Sequence, residues 1–197
     1  MSKLYIKYGV MGCSKTACAL MCKFNYEQQG YKVLLLKSLI DTRNVKDNEI
    51  VVHSRIGLES KCTPFGKNDN LIELFKQKCA EQEYNVIMVD ECQFATKEQI
   101  EQLKELSFEY QVLCYGLLTD FKTNLFEGSK RLIELADSLQ ELKSVCKCGK
   151  KASVNARFVN GKLNLDGDVV AIENQNNVSY QTMCYACYNK LKKDILG

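Results

Sequence analysis

The sequence has little net charge, no long apolar run and one histidine. Its 27 basic and 24 acidic side chains leave a net charge of +3 over 197 residues. That is too weak for the basic stripe that a phosphate-backbone binder needs, so nucleic acid is not expected as a partner. The densest basic cluster, Lys143 to Lys151, surrounds cysteines and reads as a solvated surface. No stretch of eighteen apolar residues occurs, which excludes a membrane-spanning helix. The first residues, "MSKLYIKYG", lack the apolar core of a signal peptide. A cytoplasmic protein is therefore expected. Its single histidine, His53, reads as a loop residue and neither a ligand nor a base.

Cysteine, by contrast, is abundant, with 11 residues. In a reducing compartment these are thiols or metal ligands, and an odd number cannot pair completely. Two pairs stand out: Cys146-x-Cys148, followed by glycine, and Cys184-x-x-Cys187, 36 residues after Cys148. Four thiolates around a structural Zn²⁺ would staple a module too small to hold itself by burial. Free thiols in a cysteine-rich chain are the plainer alternative. Cys13, Cys18, Cys22, Cys62, Cys79, Cys92 and Cys114 follow no ligand spacing, and most of them read as small buried apolar residues.

The segment "YGVMGCSKT" nearly matches the phosphate-loop pattern G-x-x-x-x-G-K-[ST]. Gly9, Lys15 and Thr16 are in place, with Ser14 where the second glycine belongs. Such a loop aims backbone N–H groups at an anion from a helix N-terminus. Gly9, Val10, Met11, Gly12, Cys13, Ser14, Lys15 and Thr16 are thus candidates for binding the phosphates of ATP. Lys15 would reach the β- and γ-phosphates, and Thr16 would ligate Mg²⁺. An ordinary strand–turn–helix would look similar. The balance shifts with "VIMVDECQF", an apolar strand that ends in two carboxylates. Asp90 sits where a second Mg²⁺ ligand is needed, and the adjacent Glu91 is free for a different task.

A short strand "KLYIKYG", running into a glycine turn, and the buried apolar strands "YKVLLLK", "YNVIMVDE" and "QVLCYGL" alternate with amphipathic helices, and "SLQELKSV" reads as a final strand. In the first helix, Ala17, Leu20, Met21 and Phe24 are expected to form the buried face. Thr96 with Gln99 signals a capping box. This alternation predicts an α/β fold: a parallel-sheet core like that of P-loop nucleoside triphosphatases, with ligands at the carboxyl ends of the strands. Residues 1–144 would form this core. Residues 145–197, with short β-like runs and the turns "NGK" and "DGD", would form a small zinc-binding module.

Taken in order, "GVMGCSKT", "DTR", "SRIGLE", "DECQF", "YGLLTDF", "CKCG" and "YQTMCYACY" resemble the zinc-containing type II thymidine kinases over nearly the whole chain. The resemblance implies transfer of the γ-phosphate of ATP to the 5′-hydroxyl of thymidine. Glu91 would be the catalytic base. Arg55, in "HSRIG", would lie near the transferring phosphate, and Gln93 would belong to the same phosphate site. Met11, Phe94, Leu117, Phe121 and Phe126 would line the thymine pocket. Residues around "VAIENQNNVSY", including Val178 and Tyr180, would form a lasso closing over the nucleoside. The family also implies a homotetramer and feedback inhibition by dTTP. A nucleic-acid-dependent P-loop ATPase with a zinc knuckle, and a non-catalytic zinc-binding interaction protein, are the competing readings.

Overall fold

A computed structural model describes residues 3–40, 45–46, 49–169 and 177–196. The chain begins with β1 (Leu4–Tyr8), α1 (Lys15–Gln28) and β2 (Val33–Ser38). A small antiparallel sheet follows, made of β3 (Val45–Lys46), β4 (Glu49–His53) and β5 (Glu59–Lys61). The α/β alternation resumes with β6 (Thr63–Phe65), α2 (Leu71–Glu81) and β7 (Val86–Asp90). After the short 3-10 turn Cys92–Phe94 come α3 (Lys97–Leu106), β8 (Gln111–Gly116), α4 (Glu127–Leu135) and β9 (Ser138–Glu141). The rest of the chain holds β10 (Val154–Val159), β11 (Lys162–Asn164), β12 (Val178–Met183) and α5 (Tyr185–Leu196).

The main sheet has six strands in the order β6-β2-β7-β8-β1-β9, all parallel. Every residue of β2 and β7 is buried, as a parallel sheet covered on both faces requires. The expected core strands are all present, and the Thr96–Gln99 capping box forms reciprocally. One strand was not anticipated. β6 is three residues long and contains Pro64, which lacks a ladder N–H and is tolerated because β6 lies at the sheet edge.

Helix α1 departs from the expected face. Ala17 and Leu20 are buried, but Met21 and Phe24 are 56% and 59% exposed. The helix instead packs through Ala19 and Leu20 against Val33, Leu35, Met88, Leu113 and Tyr115 on the sheet. Small side chains bring the helix close, and the bulky Met21 and Phe24 point outward.

The second sheet is antiparallel, with β10 between β11 and β12. Asn160 and Gly161 both adopt positive φ, at 51° and 75°, and make the tight β10–β11 turn for which Asn-Gly is suited. Its core joins Val154, Ala156, Phe158, Met183 and Tyr188 to Val10 of the loop after β1, with Cys13 packed alongside. The small sheet and the phosphate-loop segment therefore share one apolar cluster.

Candidate active site

The loop after β1 leaves the sheet beside β8, where the Gly9 N–H donates to the Gly116 carbonyl at 3.4 Å. Gly9 has no room for a side chain: a Cβ there would sit 2.4 Å from the Leu142 carbonyl oxygen and 2.5 Å from Cys13 Sγ. Ser14 occupies the left-handed region, at φ 65° and ψ 26°, which accounts for glycine in the usual pattern. Its side chain does not cap α1, so the serine contributes little to offset the conformation. A non-glycine residue in that region costs roughly 1–2 kcal/mol. Ser14→Gly is therefore expected to keep ATP binding and to leave stability unchanged or raise it by about 1 kcal/mol. Urea unfolding monitored by circular dichroism checks this; a clear loss of stability would assign the hydroxyl a structural role.

Lys15 is buried at the start of α1, and its Nζ donates to the carbonyls of Gly9 (3.2 Å) and Val10 (2.9 Å). The ammonium thus arches back over the loop that it serves. Arg55, reaching in from the turn after β4, sets Nη1 3.9 Å from where a Gly12 side chain would begin. Thr16, one residue on, places Oγ1 3.3 Å from Oδ2 of Asp90 at the end of β7. A hydroxyl and a carboxylate converging at the mouth of a phosphate loop are the donor pair suited to Mg²⁺. Burial, reinforced by the charge of Glu91, lifts the Asp90 carboxyl to about 7, while Lys37 and Lys15 pull it the other way. Lys37 is fully buried and lies opposite Asp90 in the β2–β7 register. An isolated lysine in an apolar strand carries no spacing signal, so nothing in the sequence marks Lys37.

Glu91 adopts φ 53°, so the chain turns sharply between the two carboxylates. Strained non-glycine backbone of this kind concentrates at functional positions. Glu91 Oε2 accepts a hydrogen bond from Gln93 Nε2, and Gln93 Oε1 accepts one from the Leu117 N–H at 3.0 Å. Gln93 is buried, so its amide fixes the direction of Glu91 and ties it to the loop after β8.

On that side lie the aromatic residues. The Phe94 and Phe126 rings meet edge to face, with centroids 5.9 Å apart, and Phe121, four residues after Leu117 in the chain, is buried. Met11 is half-buried at the centre of the loop, and its N–H donates to Asn155 Oδ1 at 2.7 Å. Val178 and Tyr180 are half-buried on β12, and Tyr180 pairs with Arg157 of β10. Two of these anchors, Asn155 and Arg157, were not singled out from the sequence. Both are buried on β10, and only the fold brings Asn155 to Met11 and Arg157 to Phe121. The lasso segment 170–176 and the "DTR" motif at 41–43 lie outside the described residues.

The four paired cysteines converge, with their Sγ atoms all within 4.8 Å of one another. Cys148 and Cys184 are 3.6 Å apart, and tetrahedral zinc with bonds of about 2.3 Å requires sulfurs about 3.8 Å apart. The short Cys146-Lys147-Cys148 spacing is accommodated by a turn in which the Gly149 N–H donates to the Cys146 carbonyl, with Gly149 at φ 84°. N–H groups of Cys148 and Cys184 hold the Cys146 thiol down at about 6. Hydrogen bonds to Cys148, Cys184 and Cys146 push Cys187 up to about 12. The donor set thus fits a structural zinc ion. Native mass spectrometry is expected to find one Zn²⁺ per chain, and Cys187→Ala is expected to release it. Because Val10 and Cys13 share the small sheet's core, zinc loss should also increase hydrogen exchange in the phosphate loop. A metal-free native chain would contradict the assignment.

A loop of phosphate-binding pattern, a hydroxyl–carboxylate pair suited to a cation and a flanking carboxylate, set on a parallel α/β sheet, are the parts of a P-loop phosphotransferase. A family model of thymidine kinase matches residues 2–188. The thymidine kinase of Shewanella oneidensis is 41% identical over 187 residues, covering 93% of this chain and 95% of that protein. That of Enterobacteria phage T4 is 38% identical over 200 residues, covering 99% and 100%. The Pif1 helicase of Candida albicans is 13% identical, with a TM-score of 0.40, over 73% of this chain and 36% of its own; that faint likeness decides nothing about function. The chain belongs to the thymidine kinase family.

Proposed function

We propose that the chain transfers the γ-phosphoryl group of ATP to the 5′-hydroxyl of thymidine, giving dTMP and ADP. The observation that carries this reading is the convergence of Lys15, the Thr16–Asp90 pair and Glu91 beside the Phe94–Phe126 aromatic cluster. In the transfer, the 5′-oxygen bonds to the γ-phosphorus as the bond to the β,γ-bridging oxygen breaks, and Glu91 accepts the hydroxyl proton. Phosphoryl transfer asks chiefly for positioning and charge neutralisation. Lys15 and Arg55 supply cationic charge at the loop. Mg²⁺, held by Thr16 and Asp90, would neutralise phosphate charge. Gln93 orients Glu91, which lets a carboxylate act on a hydroxyl that becomes acidic only as it attacks.

Residues 1–144 act as the nucleotide-binding unit and 145–197 as the zinc-anchored module that holds the lasso at both ends. Met11, Phe94, Leu117, Phe121, Phe126, Val178 and Tyr180 enclose the thymine. Cytoplasmic placement, feedback inhibition by dTTP and a homotetramer complete the reading; the exposed Met21 and Phe24 on α1 give such an assembly an apolar surface. Thymidine-dependent ADP formation tests the function. ADP release stimulated by single-stranded nucleic acid but not by thymidine would favour an ATPase instead.

A further inference from the structure

Arg157 is 4% exposed at the centre of the small sheet. Its Cζ lies 3.5 Å from the centroid of the Phe121 ring. Nε and Nη2 both donate to Asn164 Oδ1, at 3.1 and 2.7 Å, across the β10–β11 pair. Nη1 donates to the Asp168 carbonyl at 2.6 Å, and Nη2 also donates to the Asp166 carbonyl. On the other flank, Tyr180 is its direct cross-strand partner on β12. In such an antiparallel pair the two side chains share a face at contact distance. The surroundings are fitted to the guanidinium. Gly167 turns at φ 100°, and a Cβ there would come within 2.9 Å of Nη2.

We propose that Arg157 is a positioning residue for the nucleoside: one buried guanidinium fixes the face of Phe121, the carbonyls where the lasso leaves the sheet, and the strand that carries Tyr180. This rests on the thymidine kinase reading of the site. A planar, delocalised cation can stack on a ring and hold several carbonyls at once, which a lysine ammonium cannot. Phe121 arrives from the α/β core, whereas Asp166 and Asp168 follow β11 of the small sheet and Tyr180 lies on its β12. Arg157 therefore sets the distance between the two walls of the nucleoside pocket. It touches neither the phosphate loop nor Glu91 through the contacts given above, so its action falls on thymidine and not on ATP.

Steady-state kinetics of the full chain, with each substrate varied in turn, tests this. Arg157→Met is expected to raise the KM for thymidine by about tenfold or more, as small displacements of a positioning group do. The KM for ATP and the zinc content should stay unchanged. Phe121→Leu is expected to raise the same KM, and the double variant to fall well short of the product of the two single effects, because part of what Arg157 does passes through Phe121. Arg157→Lys keeps the charge should the methionine variant not fold; it is expected to raise the thymidine KM at an unaltered melting temperature. An unchanged thymidine KM in Arg157→Lys, equal rises for both substrates, or independent multiplying effects in the double variant would overturn the proposal. Unmodified chain that turns over no thymidine would sink the underlying reading as well, whereas normal turnover with any of those outcomes would sink the Arg157 role alone.

Discussion

Glu91→Gln is expected to lower thymidine turnover by about 10²–10⁴-fold, the usual contribution of a general base. Glutamine keeps the size and can still meet Gln93, so the left-handed turn after β7 and the tie to Leu117 should persist. What disappears is the ability to take the 5′-hydroxyl proton. ATP binding should be nearly unaffected, because Lys15, Thr16 and Asp90 are untouched. The effect must therefore appear in kcat and leave the KM for ATP alone. Near-normal kcat in Glu91→Gln would remove Glu91 from the chemistry and leave its strained backbone at φ 53° without a functional account.

Lys15→Met should act through charge in place of proton transfer. Removing one preorganised donor to developing negative charge typically costs about 10²–10³-fold, and here the donor also binds the ground-state phosphates. Both kcat and the affinity for ATP are expected to fall. The fold should survive, since methionine fills the buried stem of the lysine and the helix after the loop is held by Ala17, Ala19 and Leu20. Zinc content and far-ultraviolet circular dichroism check that point. Normal transfer by Lys15→Met would show that the loop only resembles a phosphate site.

How far the sequence could be read depended on how local each signal was. Strands β2, β7 and β8 were legible because a parallel sheet covered on both faces writes itself as a nearly continuous apolar run, and β1 because it runs into the glycine turn of the loop pattern. The capping box at Thr96–Gln99 was legible because both halves lie within one helical turn. Helix α1 was misread at Met21 and Phe24: spacing shows that apolar residues share a stripe but not which stripe meets the sheet. Ala19, flanked by half-buried cysteines, carried the packing instead. β6 was missed because three residues around Pro64 give no periodicity, and α5 because three lysines (Lys190, Lys192 and Lys193) among few large apolar residues blur its helical spacing. Asn155 and Arg157 show a second limit. Each matters through partners far off in sequence, such as Asn155 reaching Met11, and only the folded chain brings those partners together. Ser14 lay between these cases: its position named the anomaly, but the left-handed backbone came from the structure.

The central claim is phosphorylation of thymidine itself. Thymine offers an N3–H donor between two carbonyl acceptors, whereas cytosine offers an N3 acceptor beside an amino group. A site built to hydrogen-bond the first edge rejects the second, because buried polar groups are left unpaired at about 1–3 kcal/mol each, and such sites reach discrimination of roughly 10⁴-fold. The most direct measurement follows label from γ-³²P-ATP into thymidine, deoxyuridine and deoxycytidine, with the product position determined. The expected result is 5′-labelled dTMP as the favoured product, deoxyuridine accepted more weakly for want of the methyl contact, and almost no labelled dCMP. Comparable kcat/KM for deoxycytidine and thymidine, or label released only as inorganic phosphate, would contradict the account.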